Sequence, residues 1–82
     1  MRQVELTVYT RRGCHLCEEL IEALVPLVRG RATVALVDID DDPTLVERYN
    51  EAVPVVALGQ DEICRYFLDR DALANALRRV DD

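Results

Sequence analysis

Cys14-His15-Leu16-Cys17 is the stretch that decides the fold of this chain. An apolar segment with strand-like alternation precedes it and a segment with helical periodicity follows, which predicts that the two cysteines stand at a helix start. Residues three apart at a helix start share one face, so their sulfurs can close a small disulfide ring. Cys14 would also lie near free backbone N–H groups and the positive end of the helix dipole, which favour a thiolate. The stretch therefore indicates reversible thiol–disulfide chemistry.

The composition predicts one small acidic domain over residues 1–82. The chain has 82 residues, half of them hydrophobic, and a net charge of −6, which suits a single core and argues against nucleic acid as a partner. No run reaches the roughly 18 apolar residues of a membrane span, and charges at Arg2 and Glu5 interrupt any signal peptide. We therefore expect a cytoplasmic monomer without membrane contact. In the reducing cytoplasm, a cysteine pair is more often catalytic or metal-binding than structural.

Periodicity predicts four strands and three helices in the order βαβαββα. Two strands joined by a helix must run parallel, and the later hairpin adds antiparallel edges. The expected architecture is an α/β fold, in which three helices sandwich a four-stranded mixed sheet. The predicted strands cover 4–9, 32–40, 55–58 and 62–66, and the helices begin at 14, at 43 and after 69 or 71.

Two helices carry more detailed predictions. Pro26 lies inside the pattern of the first helix, so that helix is expected to kink there or to end early. In the last helix, Asp69 or Asp71 is the predicted cap. Its buried stripe is predicted to contain Leu73, Ala74, Leu77 and Val80.

As a whole, the chain resembles the glutaredoxin branch of the thioredoxin superfamily. The resemblance rests on the segment from Tyr9 to Glu18, on Asp38 to Asp40, and on Val53-Pro54 before a hairpin and a closing helix. It covers essentially the whole chain, and it is nearest to small bacterial glutaredoxin-like proteins. It implies a thioredoxin-like, glutaredoxin-type fold and a thiol–disulfide oxidoreductase that serves cell redox homeostasis.

The resemblance also assigns roles at the cysteine pair. Cys14 would be the exposed nucleophile, and Cys17 the resolving thiol that expels the substrate from a mixed disulfide. Pro54 would follow a cis peptide bond, which leaves the backbone of Val53 open to an extended peptide or glutathione. No bound cofactor is implied. Glutathione is the implied cosubstrate, and the implied partner is a disulfide-containing protein or glutathione itself.

Further positions around the pair carry expectations about the substrate. Arg11 stands where glutaredoxins usually carry a lysine that helps bind a carboxylate of glutathione. His15 would lower the pKa of Cys14 when protonated, or is merely an exposed residue of the first turn. Cys64-Arg65-Tyr66 replaces the usual Gly-Gly, and its larger side chains would fill or reshape the glutathione groove. The predicted substrate or glutathione site therefore comprises Arg11, His15, Val53, Pro54 and Arg65.

Alternatives stay open for the other candidate residues. Cys64 is interpreted as a half-buried strand residue, and the alternative is a third redox thiol near Cys14. The acidic run from Asp38 to Asp42 is interpreted as a solvated strand end and a helix cap, against a cation site. One cysteine pair supplies two thiolates where zinc takes four ligands, so no metal site within one chain is predicted. The alternative function is a non-catalytic module that binds a protein partner, a metal or an iron–sulfur cluster shared between two chains.

Overall fold

A computed structural model describes residues 4–81, which form four strands, three α-helices and one short 3-10 helix, Ile39–Asp41. The predicted order βαβαββα is confirmed. The strands are β1 (Val4–Thr10), β2 (Ala32–Asp38), β3 (Val55–Leu58) and β4 (Asp61–Arg65), and the helices are α1 (His15–Val28), α2 (Pro43–Tyr49) and α3 (Arg70–Asp81). Among the described residues, no helix has the length and hydrophobicity that a membrane span requires.

The sheet is mixed, with the strand order β2-β1-β3-β4. β1 runs parallel to β2, as the crossover through α1 requires, and β3 is antiparallel to both β1 and β4. Tyr9 near the end of β1 lies opposite Val55 at the start of β3. This register brings the loop that leads to Cys14 and the segment before β3 to the same edge of the sheet.

The core has two clusters of buried side chains. Successive residues of a strand point to opposite faces of the sheet, so Val8 joins one cluster and Tyr9 borders the other. The larger cluster contains residues of α1 and α3, including Leu24 and Leu73. The smaller one contains Tyr49 of α2 and one member of the cysteine pair, Cys17, together with Ile39, Val53 and Val55. The predicted sandwich of helices around the sheet is confirmed.

Of the two expectations for Pro26, an early end of α1 is wrong, because the helix continues to Val28, and a kink stays a prediction. Pro26 lies near the C-terminal end and is exposed, as is Glu22, the residue whose carbonyl the proline leaves without an N–H donor. That carbonyl can therefore bond to water. Leu24 and Val28 are buried and hold the last turns of the helix against the sheet.

Four predicted strand ends are also shifted, two of them by a one-residue extension, of β1 to Thr10 and of β4 back to Asp61. β2 ends at Asp38 instead of Asp40, because the carboxylate of Asp38 accepts the N–H of Asp40 at 2.9 Å and starts the 3-10 helix. β4 ends at Arg65, one residue early, because Tyr66 has a left-handed backbone with φ of 69°.

α3 begins with the predicted cap, and two of the four residues predicted for its buried stripe, Leu73 and Leu77, are confirmed. The carboxylate of Asp69 accepts the N–H of Ala72 at 3.0 Å, which confirms Asp69 as the capping residue. Leu73, Ala76 and Leu77 are buried at helical spacing. The prediction of Ala74 and Val80 in this stripe is wrong: Ala74 lies off the stripe, and Val80 faces an open groove between α3 and β4.

Candidate redox active site

Cys14 and Cys17 are joined by a disulfide at the start of α1. Their Cα atoms lie 5.2 Å apart, inside the usual range for such a bridge. Cys14 is the N-cap of the helix, and its Sγ accepts the N–H of Cys17 at 3.1 Å. The same N–H would stabilise a thiolate on Cys14 once the pair is reduced.

The two sulfurs differ in their exposure to solvent. Cys17 is 1% exposed and belongs to the smaller core cluster, whereas Cys14 is half-buried at its border. Disulfide exchange requires that the attacking sulfur reach its target. Of the pair, Cys14 is therefore the sulfur that an incoming molecule can reach.

The segment before β3 lies beside the pair. The Val53–Pro54 peptide bond is cis, as the resemblance implies. Val53 packs in the same cluster as Cys17, and the carbonyl of Pro54 accepts the N–H of Tyr66 at 2.8 Å. The start of β3 and the turn after β4 are therefore neighbours at the redox site.

A stacked pair of tyrosines forms the other side of this cluster, and the sequence alone did not identify it. The ring centroids of Tyr9 and Tyr49 are 4.5 Å apart, and the guanidinium of Arg48 lies 5.3 Å from the centroid of the Tyr49 ring. Burial raises the pKa of Tyr49. The sequence contained one indication of it. Side chains alternate between the two faces of a strand, so Tyr9 points to the face of β1 opposite to that of Leu6 and Val8.

Arg11 is bonded to two segments that are distant in the sequence. Its Nε and Nη2 donate to the carboxylate of Asp40 at 2.9 to 3.1 Å, and its Nη1 donates to the carbonyl of Asn50 at 3.3 Å. The hydrogen bonds and charge of Asp40 raise the pKa of Arg11. The guanidinium is therefore engaged within the protein, and its predicted contact with glutathione stays a prediction.

His15 and Arg65, the other polar residues of the predicted site, each have an acidic neighbour. His15 is exposed, with Nδ1 3.7 Å from a carboxylate oxygen of Glu18. Arg65 lies opposite Val55 in the sheet and forms two bonds of 2.6 and 2.7 Å with Glu62, which lower the pKa of Glu62. The structure thus brings Val53, Pro54 and Arg65 to the edge that carries the cysteines, and their contacts with substrate stay predictions.

The carboxylates of the acidic run cap helices and form an ion pair, which confirms the interpretation of this run as a strand end and a helix cap. Asp38 caps the 3-10 helix, Asp40 pairs with Arg11, and Asp42 caps α2 by accepting the N–H of Thr44 at 2.9 Å. Within the described part of the chain, no three His, Cys, Asp or Glu side chains are arranged to hold a metal ion.

Cys64 is half-buried, as interpreted from the sequence, but it packs away from the disulfide. It lies opposite Val56 on β4 and packs on the larger cluster, whereas Cys14 borders the smaller one. Burial raises the pKa of the Cys64 thiol, although a bond from the backbone of Asp69 opposes this. The thiolate is the reactive species, so Cys64 is poorly suited to exchange at neutral pH.

We expect iodoacetamide to modify Cys14 of the reduced protein well before Cys64 at pH 7. Each pKa unit between the two thiols changes the thiolate fraction about tenfold, and half-burial slows Cys64 further. Peptide mass spectrometry over a time course measures both rates. The Cys64→Ala variant checks the assignment, and equal labelling rates at the two cysteines would contradict the expectation.

Comparison with known families agrees with this geometry. The model of the glutaredoxin-like domain (DUF836) matches residues 5–78. The chain is also 28% identical over 86 residues to a glutaredoxin-like protein of Dictyostelium discoideum, covering 96% of this chain and 80% of that protein.

Solved structures show the same architecture. A solution structure of a Nitrosomonas europaea protein matches with a TM-score of 0.81 at 39% identity, over 93% of both chains. An X-ray structure of an X. campestris protein matches with a TM-score of 0.70 at 32% identity, over 90% of this chain and 96% of that one. The thioredoxin of Fasciola hepatica, 20% identical over 94% of this chain and 80% of its own, matches in fold alone with a TM-score of 0.55. The chain therefore belongs to the glutaredoxin-like (DUF836) family and has the thioredoxin fold.

Proposed function

We propose that this protein is a thiol–disulfide oxidoreductase with Cys14 as nucleophile and Cys17 as resolving thiol. The observation that carries the proposal is the disulfide at the N-terminus of α1, with one sulfur that can be reached and one that is buried. A helix N-terminus stabilises the thiolate that attacks. A buried second thiol reacts only with a sulfur already attached to its neighbour, which suits a resolving role.

The reaction exchanges two electrons and two protons. The Cys14 thiolate attacks one sulfur of the substrate disulfide, whose S–S bond breaks, and the departing sulfur leaves with the electron pair and takes up a proton. Cys17 then loses its proton and attacks Sγ of Cys14, which forms the Cys14–Cys17 disulfide and releases the second substrate thiol. Two molecules of an external thiol such as glutathione would reduce the pair again, and a cytoplasmic location would supply that reductant.

We infer that the substrate is a protein disulfide, since the turn bonded to the segment before β3 carries exposed aromatic residues. Phe67 is 70% exposed and Tyr66 is also exposed, directly after β4. The bond from the N–H of Tyr66 to Pro54 holds this turn beside the segment before β3. Exposed apolar rings favour contact with the side chains of a polypeptide. Pairing of that polypeptide with the backbone of Val53 would align its disulfide with Cys14.

Replacing Phe67 with alanine should raise KM for a protein disulfide about fivefold, which corresponds to the loss of one aromatic contact. The reduction of a small disulfide such as hydroxyethyl disulfide should change much less, because that substrate is too small to use the ring. Steady-state kinetics with both substrates measures the effect. Leu36→Ala is the matched control, since Leu36 is an exposed apolar residue on the opposite edge strand, β2. An equal change with both substrates would contradict the docking role.

The proposed function is tested by the reduction potential of the pair, with glutathione and thioredoxin systems as competing reductants. A value near about −270 mV would place the protein among reductants and one near about −120 mV among oxidants. A purified protein that shuttles between dithiol and disulfide while reducing a protein disulfide supports the proposal. A coloured, iron-containing dimer without exchange activity would instead support the cluster-binding alternative.

A further inference from the structure

The loop that carries Cys14 is held at one end by a charged side chain. Arg11 follows β1 and precedes Cys14 by three residues, with Gly13 in a left-handed conformation between them. Its guanidinium bonds to Asp40 in the 3-10 helix after β2 and to the carbonyl of Asn50 after α2. One side chain thus joins three segments that follow β1, β2 and α2.

The neighbouring contacts strengthen the same connection. Tyr9, two residues before Arg11, stacks on Tyr49, which directly precedes Asn50. The N–H of Asn50 donates to Val46 at 2.7 Å and closes the end of α2. The acceptors of Arg11 are therefore parts of ordered elements, so its bonds restrict where the loop can lie.

We propose that Arg11 is a positioning residue that, through Asp40 and Asn50, fixes the loop carrying Cys14, and that it does not serve as an anion site for the substrate. This positioning role of Arg11 rests on the proposed function as a thiol–disulfide oxidoreductase. A fixed loop keeps Sγ of Cys14 beside Cys17 even when both are reduced, so little conformational freedom is lost when the disulfide forms. Without the bonds, the reduced loop gains freedom and the disulfide becomes less favourable.

The test measures the equilibrium constant for Cys14–Cys17 disulfide formation against glutathione in Arg11→Met, Asp40→Asn and the double variant. Each single change should lower the constant roughly two- to fivefold, as expected for a half-exposed ion pair. The double variant should match Arg11→Met, because the loss of the guanidinium already removes its bonds to Asp40 as well as the one to Asn50. Arg12→Met and Asp41→Asn make the same charge changes at adjacent residues and should leave the constant unchanged, since the ion pair of Arg12 with Asp38 is 3.8 Å long with Arg12 95% exposed, and Asp41 is also exposed.

Two other roles for Arg11 give different results. If its charge acted directly on the Cys14 thiolate, removing the cation and removing the Asp40 anion would shift the constant in opposite directions. If it bound a substrate carboxylate, Arg11→Met would raise KM for a glutathionylated substrate and Asp40→Asn would leave the constant unchanged. Either result would overturn the proposal.

The Arg11→Lys variant guards against misfolding as the cause. Lysine keeps the charge but lacks the planar fork that reaches both acceptors, so an intermediate constant is expected, and full wild-type behaviour would overturn the proposal. The equilibrium constant needs no substrate turnover. A wild-type protein that fails to reduce protein disulfides would therefore contradict the proposed function while the role of Arg11 is still decided.

Discussion

Replacing Cys14 with serine should lower the rate of disulfide reduction by on the order of a thousandfold or more, because a serine hydroxyl is not ionised at neutral pH. Cys17 cannot substitute for it, since only 1% of this residue is exposed. Replacing Cys17 instead should leave the first attack intact and stop the reaction at the mixed disulfide. The two single variants therefore separate the proposed roles of nucleophile and resolving thiol.

The measurement combines rates of protein disulfide reduction with mass spectrometry of the stalled complex. Cys17→Ser should accumulate a covalent adduct between Cys14 and the substrate that a reductant reverses. Cys64→Ser is the matched control and should keep wild-type activity, because Cys64 packs on the other core cluster. A Cys14→Ser protein with the wild-type rate would refute the mechanism.

Replacing Leu24 with alanine should destabilise the protein by about 2–5 kcal/mol. Leu24 is fully buried where α1 meets the sheet, so the change removes apolar contacts and leaves a cavity. Leu27→Ala on the same helix is the matched control, since Leu27 is 42% exposed. We expect that control to change the free energy of unfolding by no more than about 0.5 kcal/mol.

Urea unfolding of the oxidised proteins measures both changes. The disulfide must stay intact in all samples, because its reduction would alter the unfolded state as well. Equal destabilisation by the two substitutions would contradict the packing of α1 described above. A large effect confined to Leu24 would show that the helix bearing the cysteines depends on its buried face.

Local patterns in the sequence predicted most of the fold because they depend on near neighbours. The alternation of Val4, Leu6 and Val8 marks a strand with one buried face, and Asp42 before Pro43 marks a helix start. The exact ends were less predictable. Whether Tyr66 continues β4 depends on a left-handed backbone and a bond to Pro54, which leave no periodic signal.

The sequence by itself determined the redox pair, since the spacing of Cys14 and Cys17 at a helix start already places two sulfurs within reach. Only the tertiary structure decided their surroundings. Arg11 bonds to acceptors 29 and 39 residues away, and Cys64 turns to the opposite core cluster. The physical reason is that a charged or apolar side chain is compatible with many partners distant in the sequence, so its chemical character does not identify the one it contacts. The strand order β2-β1-β3-β4 selects which of those partners meet.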